Sequence, residues 1–426
     1  MADRVTSLVI IGAGAAGLAA ADRASALAID VVLVEASDRI GGRAQTVNHE
    51  SGQQWDLGAH WLHQAPVNPL APIADEQRAI PVRPWQPVSG IWIGGTWLSD
   101  FERTEIANVI DESEELARDL AATGEDAAFA ELIDPAFTLR SPVDDLLLHR
   151  FGVRPQMVSA VDVSRFGRQD GSWPVGAGLG AVLTARFAGV PVTRNAPVHV
   201  VDWSGDQIRI DLGRDLIVCD FAIVTVSTGV LATSDIVFAP ALPDETLQAI
   251  AGLPMATMER IAFTWPDWPG GFPDETLIHT LAAGLSILFE TPAAGSNLLV
   301  ATIADSTRLA DGQLHDVIAS RCTEVFGAPG ETIADVRTSD WSTDPYVRGS
   351  TAWCLPGFPS ARALLATPVD HRLYFAGEAT SATAWGMVHG AMQSGIDAVN
   401  AIAITLGLIP EMPKRRDTTN VFRYDF

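Results

Sequence analysis

The run Thr6-Ser7-Leu8-Val9-Ile10-Ile11-Gly12-Ala13-Gly14-Ala15-Ala16-Gly17 decides how the rest of the chain is read. Residues 6–11 are largely β-branched, with an unbroken apolar run from Leu8 to Ile11, the pattern of a parallel strand buried on both faces. Glycines at GxGxxG spacing follow, then an alanine- and leucine-rich helix to about Leu27. The spacing alone is a weak signal, but a strand before it and a helix after it make it a dinucleotide cradle. Gly12 permits the tight turn, Gly14 lets the backbone approach a pyrophosphate, and Gly17 lets the helix lie close to the strand. Ala15 and Ala16 open the helix, whose first N–H groups and positive dipole end face the phosphates. A second buried strand over residues 30–35 ends in Glu35. Its carboxylate can accept from a ribose diol and repels a 2′-phosphate, which excludes NADP more firmly than it separates FAD from NAD.

The segment Ala36-Ser37-Asp38-Arg39-Ile40-Gly41-Gly42-Arg43 points to flavin. Its paired glycines let the backbone lie against a cofactor, and Arg43 carries a fork of donors for phosphate or flavin oxygens. Here the sequence resembles the flavin-dependent amine oxidase family, which includes monoamine oxidases, polyamine oxidases, L-amino-acid oxidases and flavin-type histone demethylases. Members of that family bind FAD. Asp56-Leu57-Gly58-Ala59-His60-Trp61-Leu62-His63, with Asn68-Pro69-Leu70 after it, is similar to the polyamine-oxidase form of the second family signature. Further blocks follow in family order: Thr225 to Leu231, Phe238 to Pro243, Asp340-Trp341 through Gly349-Ser350, Phe375-Ala376-Gly377-Glu378, and Val388-His389-Gly390-Ala391. The resemblance covers nearly the whole chain.

What the resemblance implies is a set of cofactor contacts. Gly12, Gly14, Ala15, Ala16, Gly17, Glu35, Ala36, Gly42 and Arg43 belong to the nucleotide half, with Val198, in a strand, holding the adenine through its backbone. Gly58, Ala59, His60, Trp61, Trp341, Gly377, Glu378, Met387 and Val388 belong to the flavin half. Glu378 matches the residue that reaches the phosphate–ribityl region. The backbone near Val388 matches the helix end that meets the pyrimidine edge, where it would stabilise negative charge on reduced flavin. The reaction implied is transfer of a hydride equivalent from the carbon beside a neutral amine to flavin N5, followed by hydrolysis of the imine. The protein then supplies orientation, a dry pocket and electrostatics, and no metal is needed.

Three features depart from the family pattern. Arg260 stands where most family oxidases place a lysine near flavin N5, and the only lysine in the chain is Lys414, in the tail. Arginine is not a conservative replacement. Three readings stay open: weaker reaction with oxygen in favour of another electron acceptor, a site for a substrate carboxylate, or the same water held by a different cation. Second, the two aromatic residues that sandwich the amine in monoamine oxidases fall at Thr351 and Met387, with Trp353 and Trp385 close by as substitute pocket surface or as filling. Third, Ser350 occupies the position of the cysteine that tethers flavin, so FAD is expected to be held noncovalently, with Cys354 near enough to test. His63 lies where animal polyamine oxidases carry a substrate-side histidine. It is read as a pocket residue rather than a histidine pinning the loop.

Composition bounds the rest. A length of 426 residues suggests two interleaved domains, and 47% hydrophobic residues can bury a large interior. The expected class is α/β: a Rossmann-type FAD-binding domain interleaved with an α+β substrate domain made of a mixed or antiparallel sheet and a helical insertion. Residues 1–75, 171–235 and 370–408 are assigned to the FAD-binding domain. Residues 76–170 (the insertion) and 236–369 (the sheet) form the substrate domain, and 409–426 form a tail. Strands are expected over 191–201, 207–212, 216–226, 260–265, 285–290, 297–303 and 373–376, and helices over 101–122 and 388–406. No apolar run is long enough for a membrane span, and the three scattered cysteines indicate neither a disulfide framework nor a metal site. A cytoplasmic location is expected. The net charge of −24 argues against nucleic acid and is compatible with a cationic substrate. Besides a polyamine or related amine, the reading keeps two alternatives: an L-amino acid or derivative, and a flavoprotein without catalysis.

Overall fold

The computed structural model describes residues 4–76, 90–93, 95–166, 171–272, 277–282, 285–292, 295–306 and 313–410. The expected tail lies outside the described residues from position 411 onward. The opening strand, Arg4–Ile11, pairs in parallel with Val31–Val34 on one side and Leu216–Val224 on the other. Leu8 and Ile10 point into one apolar layer, and Val9 and Ile11 into the opposite one. Unbroken hydrophobicity is therefore required here, because both faces of the strand are covered. Leu216–Val224 then pairs along its second half with Leu373–Phe375, in parallel, and along its first half with the antiparallel strand Ile208–Asp211. Val200–Asp202 and Val237–Ala239 complete this sheet.

The opening helix Ala15–Ala26 and the closing helix Val388–Thr405 pack together on one face of the sheet. Small residues set how close they come. A Cβ on Gly17 would stand 1.9 Å from the carbonyl oxygen of Gly12, and one on Gly395 would stand 2.1 Å from that of Ala16. Helices Asp244–Ala251 and Ala361–Ala366 cover the other face, with Leu242, Ile250 and Leu365 in its core.

The second sheet runs in the order Ala334–Thr338, Met258–Thr264, Leu298–Ala304, Leu285–Glu290, Leu277–Ala282, Gly90–Ile93, Thr96–Trp97. Ile261, Phe263, Ile287, Phe289, Ala301 and Ile303 make its apolar face, which packs on helix Gln313–Phe326 through Ile318 and Cys322. Helix Arg140–Phe151 lies against the other face. The long helix Asp100–Thr123 starts from a capping box between Ser99 and Glu102 and ends at Gly124, in the left-handed conformation.

Three placements differ from the sequence reading. The segment expected as a strand over 191–201 forms one only at Val200–Asp202, so Val198 precedes the strand rather than sitting in it. Pro191 and Pro197 lack N–H donors, and Asn195 turns through a positive φ of 54°. The backbone instead hooks onto the end of the second strand, Thr193 to Leu33 and Glu35, and Ala196 to Glu35. Val237–Ala239, expected with the substrate sheet, joins the first sheet. Gly90–Ile93 and Thr96–Trp97, expected within a helical insertion, extend the second sheet.

Candidate active site

A cleft of about 670 Å³ runs from the turn after the first strand to the polar face of the second sheet, a size typical of cofactor and ligand sites. The starts of two helices open onto it. Neither Ala15–Ala26 nor Val388–Thr405 has an acidic residue in its first turn or a side-chain cap at its N-terminus. Their leading amides and positive dipole ends are thus left for a ligand. Gly14, at the N-cap of the first, has nothing within 4 Å of where a Cβ would stand, so its open side faces the cleft. Glu35 accepts from the Ala13 amide at 2.7 Å and from the Ser37 amide and hydroxyl at 2.9 and 2.8 Å. A carboxylate offers about four acceptor positions, so these three donors aim it and leave one position for a ribose hydroxyl. An anionic dinucleotide fits this donor set.

In the middle of the cleft, one arm of the Arg43 fork is already engaged. Its Nη1 donates to Glu378 at 2.9 Å and to the Ser350 carbonyl at 2.7 Å. Glu378 also accepts from the amides of Ala352 and Gly386, at 3.0 and 2.9 Å. One buried carboxylate thereby ties the segment around Ser350 to the loop before the closing helix. Trp341 is fixed by its indole N–H on the Leu57 carbonyl at 2.9 Å and by its amide on Glu259 at 2.9 Å. The Arg39 guanidinium lies over its ring, 5.6 Å from the centroid.

The far end is a cluster of ionisable side chains. Arg260, buried on strand Met258–Thr264, donates from Nε to the Asp56 carbonyl at 2.9 Å. Its Nη1 donates to Glu290 and to Nε2 of His60, both at 2.7 Å. With Nε2 accepting, His60 donates from Nδ1 to the Gly58 carbonyl at 2.8 Å, which fixes one neutral tautomer. Burial, and then the Arg260 charge, hold its pKa well below the ordinary value. His63 bonds through Nδ1 to the Ser172 hydroxyl at 2.9 Å. Burial lowers its pKa to about 4, with His389 the lesser cause. His389 is buried on the closing helix, bonded to Asn68 and Gln64, and is likewise pushed down to about 4 by burial. The cluster therefore holds neutral imidazoles around a compensated Arg–Glu pair.

The cleft brings together most of the residues singled out in the sequence: Gly12, Gly14, Ala15, Ala16, Glu35, Ala36, Gly42, Arg43, Gly58, Ala59, His60, Trp61, His63, Val198, Arg260, Trp341, Thr351, Gly377, Glu378, Met387 and Val388. Gly17 does not line it; its part is the close packing against Gly12. Trp385 does not line it either. Its indole packs 4.5 Å from Phe166 and 4.8 Å from the Arg362 guanidinium, in the apolar cluster that also holds Trp353. Proximity in sequence to Met387 misled here, because Gly386 turns the chain with a φ of 71° between the two residues. Cys354 is buried with its thiol on the Phe358 carbonyl, away from the cleft, and burial pushes its pKa up to about 12. Ser350 does line the cleft, with its hydroxyl engaged by the Ala256 carbonyl and the Met258 amide.

Sequence reasoning gave no role to Asp56, Glu259 or Thr302. Asp56 is buried and accepts from the amides of Leu179 and Gly180, capping helix Leu179–Arg186, so burial raises its pKa while these bonds oppose the rise. Thr302 is brought opposite Arg260 by strand pairing, and its hydroxyl accepts a long bond from Arg260 Nη1 at 3.5 Å. Glu290 is the acidic partner of Arg260.

Similarity to known proteins agrees with this geometry. The NAD(P)-binding Rossmann-like domain model matches residues 10–76. Polyamine oxidase 4 of Oryza sativa subsp. japonica is 27% identical over 92% of this chain and 88% of its own. Polyamine oxidase 1 of Zea mays is 26% identical over 93% and 90%. Among solved structures, cyclohexylamine oxidase from Brevibacterium oxydans IH-35A superposes with a TM-score of 0.78 at 20% identity, covering 94% of this chain and 99% of that one. A putrescine oxidase with redesigned cofactor binding gives 0.79 at 20% identity, covering 94% and 100%. These structures share the fold. The flavin containing amine oxidoreductase model matches residues 100–403, most of the chain, which therefore belongs to that family.

Proposed function

We propose that the protein binds FAD noncovalently and oxidises the C–N bond of a polyamine or related amine by hydride transfer to the flavin. The observation that carries this is the continuity of one cleft from uncapped helix ends and Glu35 to the compensated Arg260–Glu290 pair. FAD, when bound, supplies the acceptor for two electrons as a hydride. The residues that would hold it are Gly14 to Ala16 and Glu35 at the nucleotide, Arg43 and Glu378 in the middle, and the amides near Val388 at the far ring. None of the cysteines, all buried in apolar cores, lines the cleft, and Ser350 cannot form a thioether, which supports a noncovalent cofactor.

The substrate amine loses a hydride from its α-carbon and a proton from nitrogen. Water then converts the imine to a carbonyl product and a free amine. His63 and His60 contribute neutral imidazoles, so a positive or protonatable substrate meets no repulsion from them. Met387 and Thr351 furnish an apolar and a small wall in place of two aromatic rings. An amine is favoured over an amino acid because the Arg260 charge is already matched by Glu290 and its Nε and Nη1 donors are engaged. A substrate carboxylate would have to displace Glu290.

The test is anaerobic mixing of the flavin-loaded protein with polyamines, monoamines and L-amino acids while the flavin absorbance is followed. Bleaching by amines is expected; bleaching by amino acids alone would overturn the substrate class. Admitting air afterwards reads the acceptor: rapid reoxidation makes oxygen the acceptor, and slow reoxidation with dye reduction makes it another.

A further inference from the structure

The polar face of the second sheet continues beyond the cleft, and strand register shows how. Arg260 pairs with Thr302, Thr302 with Leu288, and Leu288 with His279. Directly paired residues point to the same side of a sheet. These four therefore form one row across four strands, polar at both ends and aliphatic at Leu288. Arg260 and Thr302 line the cleft, whereas His279 lies two strand spacings past Thr302, about 10 Å away.

At that distant end the chemistry is unfinished. His279 is buried, as is Ser286, which occupies the neighbouring row on the same face. His149 reaches the same place from helix Arg140–Phe151, its ring edge-on to His279 at 4.9 Å and 89°. Nδ1 of His149, Nδ1 of His279 and Oγ of Ser286 are all shielded from solvent without a hydrogen-bond partner among the described residues. Buried polar atoms normally find partners, so three on one side of one sheet mark a place that a ligand group satisfies. Glu290, two residues along the strand from Leu288, lies in the next row on the same face and bonds Arg260, with 22% of its side chain still open. Burial keeps His149 at a pKa of about 4 and His279 well below its ordinary value, so both imidazoles are neutral and can accept.

We propose that His149, His279 and Ser286 form a specificity subsite for the second, hydrogen-bond-donating amino group of a substrate whose reacting amine lies near Arg260 and Thr302, with Leu288 beneath the methylene chain between them. The inference rests on amine oxidation as the activity and narrows its substrate to α,ω-diamines or oligoamines with nitrogens about 10 Å apart.

The experiment uses the flavin-loaded protein and two graded series, α,ω-diaminoalkanes and n-alkylamines of matching length, with anaerobic flavin reduction and steady-state kinetics as readouts. The ratio of kcat/KM for diamine over alkylamine is expected to peak where the nitrogens are about 10 Å apart. His279→Phe should lower that peak by about tenfold, through a higher KM for the diamine, as loss of a hydrogen bond to a charged group predicts. Ser286→Ala, which deletes one partnerless hydroxyl and spares the fold, should lower it by a smaller factor. If no amine of either series reduces the flavin, the activity assigned above fails. If amines reduce it but the ratio is flat with length, or is unchanged in both variants, the subsite is overturned while the activity stands.

Discussion

The two ends of the cleft are built in opposite ways. At the nucleotide end the working groups are mostly backbone amides and the space left by absent side chains, aimed by one carboxylate, and nearly all lie within the first 43 residues. At the chemical end they are side chains on separate strands, and Arg260 meets His60 and Glu290 across 200 and 30 residues of sequence. A backbone site depends on close approach and tolerates no added atom. A side-chain site depends on charge compensation and tolerates a change of shape better than the loss of a partner. Substitutions at the two ends should therefore fail differently.

The largest effect is expected at Gly17→Val. Its Cβ would fall 1.9 Å from the Gly12 carbonyl, and backbone cannot yield as a flexible side chain would. The variant should purify without flavin, seen as loss of visible absorbance; a yellow protein with normal flavin content would break the comparison at its first point. Arg260→Met comes next. It strips Glu290, His60 and the Asp56 carbonyl of their shared donor. Loss of one member of a buried pair costs about 3–5 kcal/mol, and the partial exposure of Glu290 places this case nearer 2 kcal/mol. Urea denaturation of the flavin-loaded protein measures it, while flavin binding should survive. Arg260→Lys should recover only part, since one ammonium nitrogen cannot occupy both the Nε and the Nη1 positions from which arginine reaches these groups.

That contrast also explains what the sequence disclosed. The opening βαβ unit was legible because each requirement is local: strand, turn, helix and acid follow in order. The flavin-contacting blocks were legible through their resemblance to a known family, and the cofactor residues named from them reach the cleft. Hidden were the facts that depend on register. Thr302 and Leu288 are ordinary strand residues until pairing puts them beside Arg260 and His279. The positive φ at Asn195 and the two prolines around it defeated a strand assignment that hydrophobicity favoured.

Acid should act on the chemical end first. His63, His149 and His389 are each lowered by burial from 6.5 to about 4. Between those values the unfolded chain binds protons that the folded chain refuses, so stability is whole above pH 6.5 and falls as pH drops towards 4. The slope is at most about 1.4 kcal/mol per pH unit for each histidine. The acidic surface pulls the other way, because protonation relieves repulsion in a chain of net charge −24. The telling measurement is thus a difference. His389→Gln should flatten the slope of urea stability against pH in that window, and equal slopes would remove the histidine from the account.

Glu35→Gln tests the nucleotide end more gently. The amide keeps an acceptor for the Ala13 or Ser37 donors but loses the charge that strengthens the bond to a ribose hydroxyl. Flavin affinity, measured by fluorescence on dilution, should fall about tenfold with stability nearly unchanged. An unaltered affinity would mean that the helix amides alone hold the nucleotide.

The smallest effect is expected at Trp385→Phe, and it draws the border of the chemical end. Trp385 adjoins the cleft in sequence, yet its ring sits among Phe166, Arg362 and the core that holds Trp353. Its Nε1 is buried without a partner among the described residues, so phenylalanine forfeits packing and some cation–π contact but also removes an unsatisfied donor. These opposing changes should leave a net cost of about 1 kcal/mol. Because the ring lies outside the cleft, the rate of anaerobic flavin reduction by a good amine should stay within about twofold, a barrier change under about 0.5 kcal/mol. A fall of the size seen for a lost transition-state contact would bring Trp385 back to the substrate and extend the site past Gly386, through the turn that now separates the two.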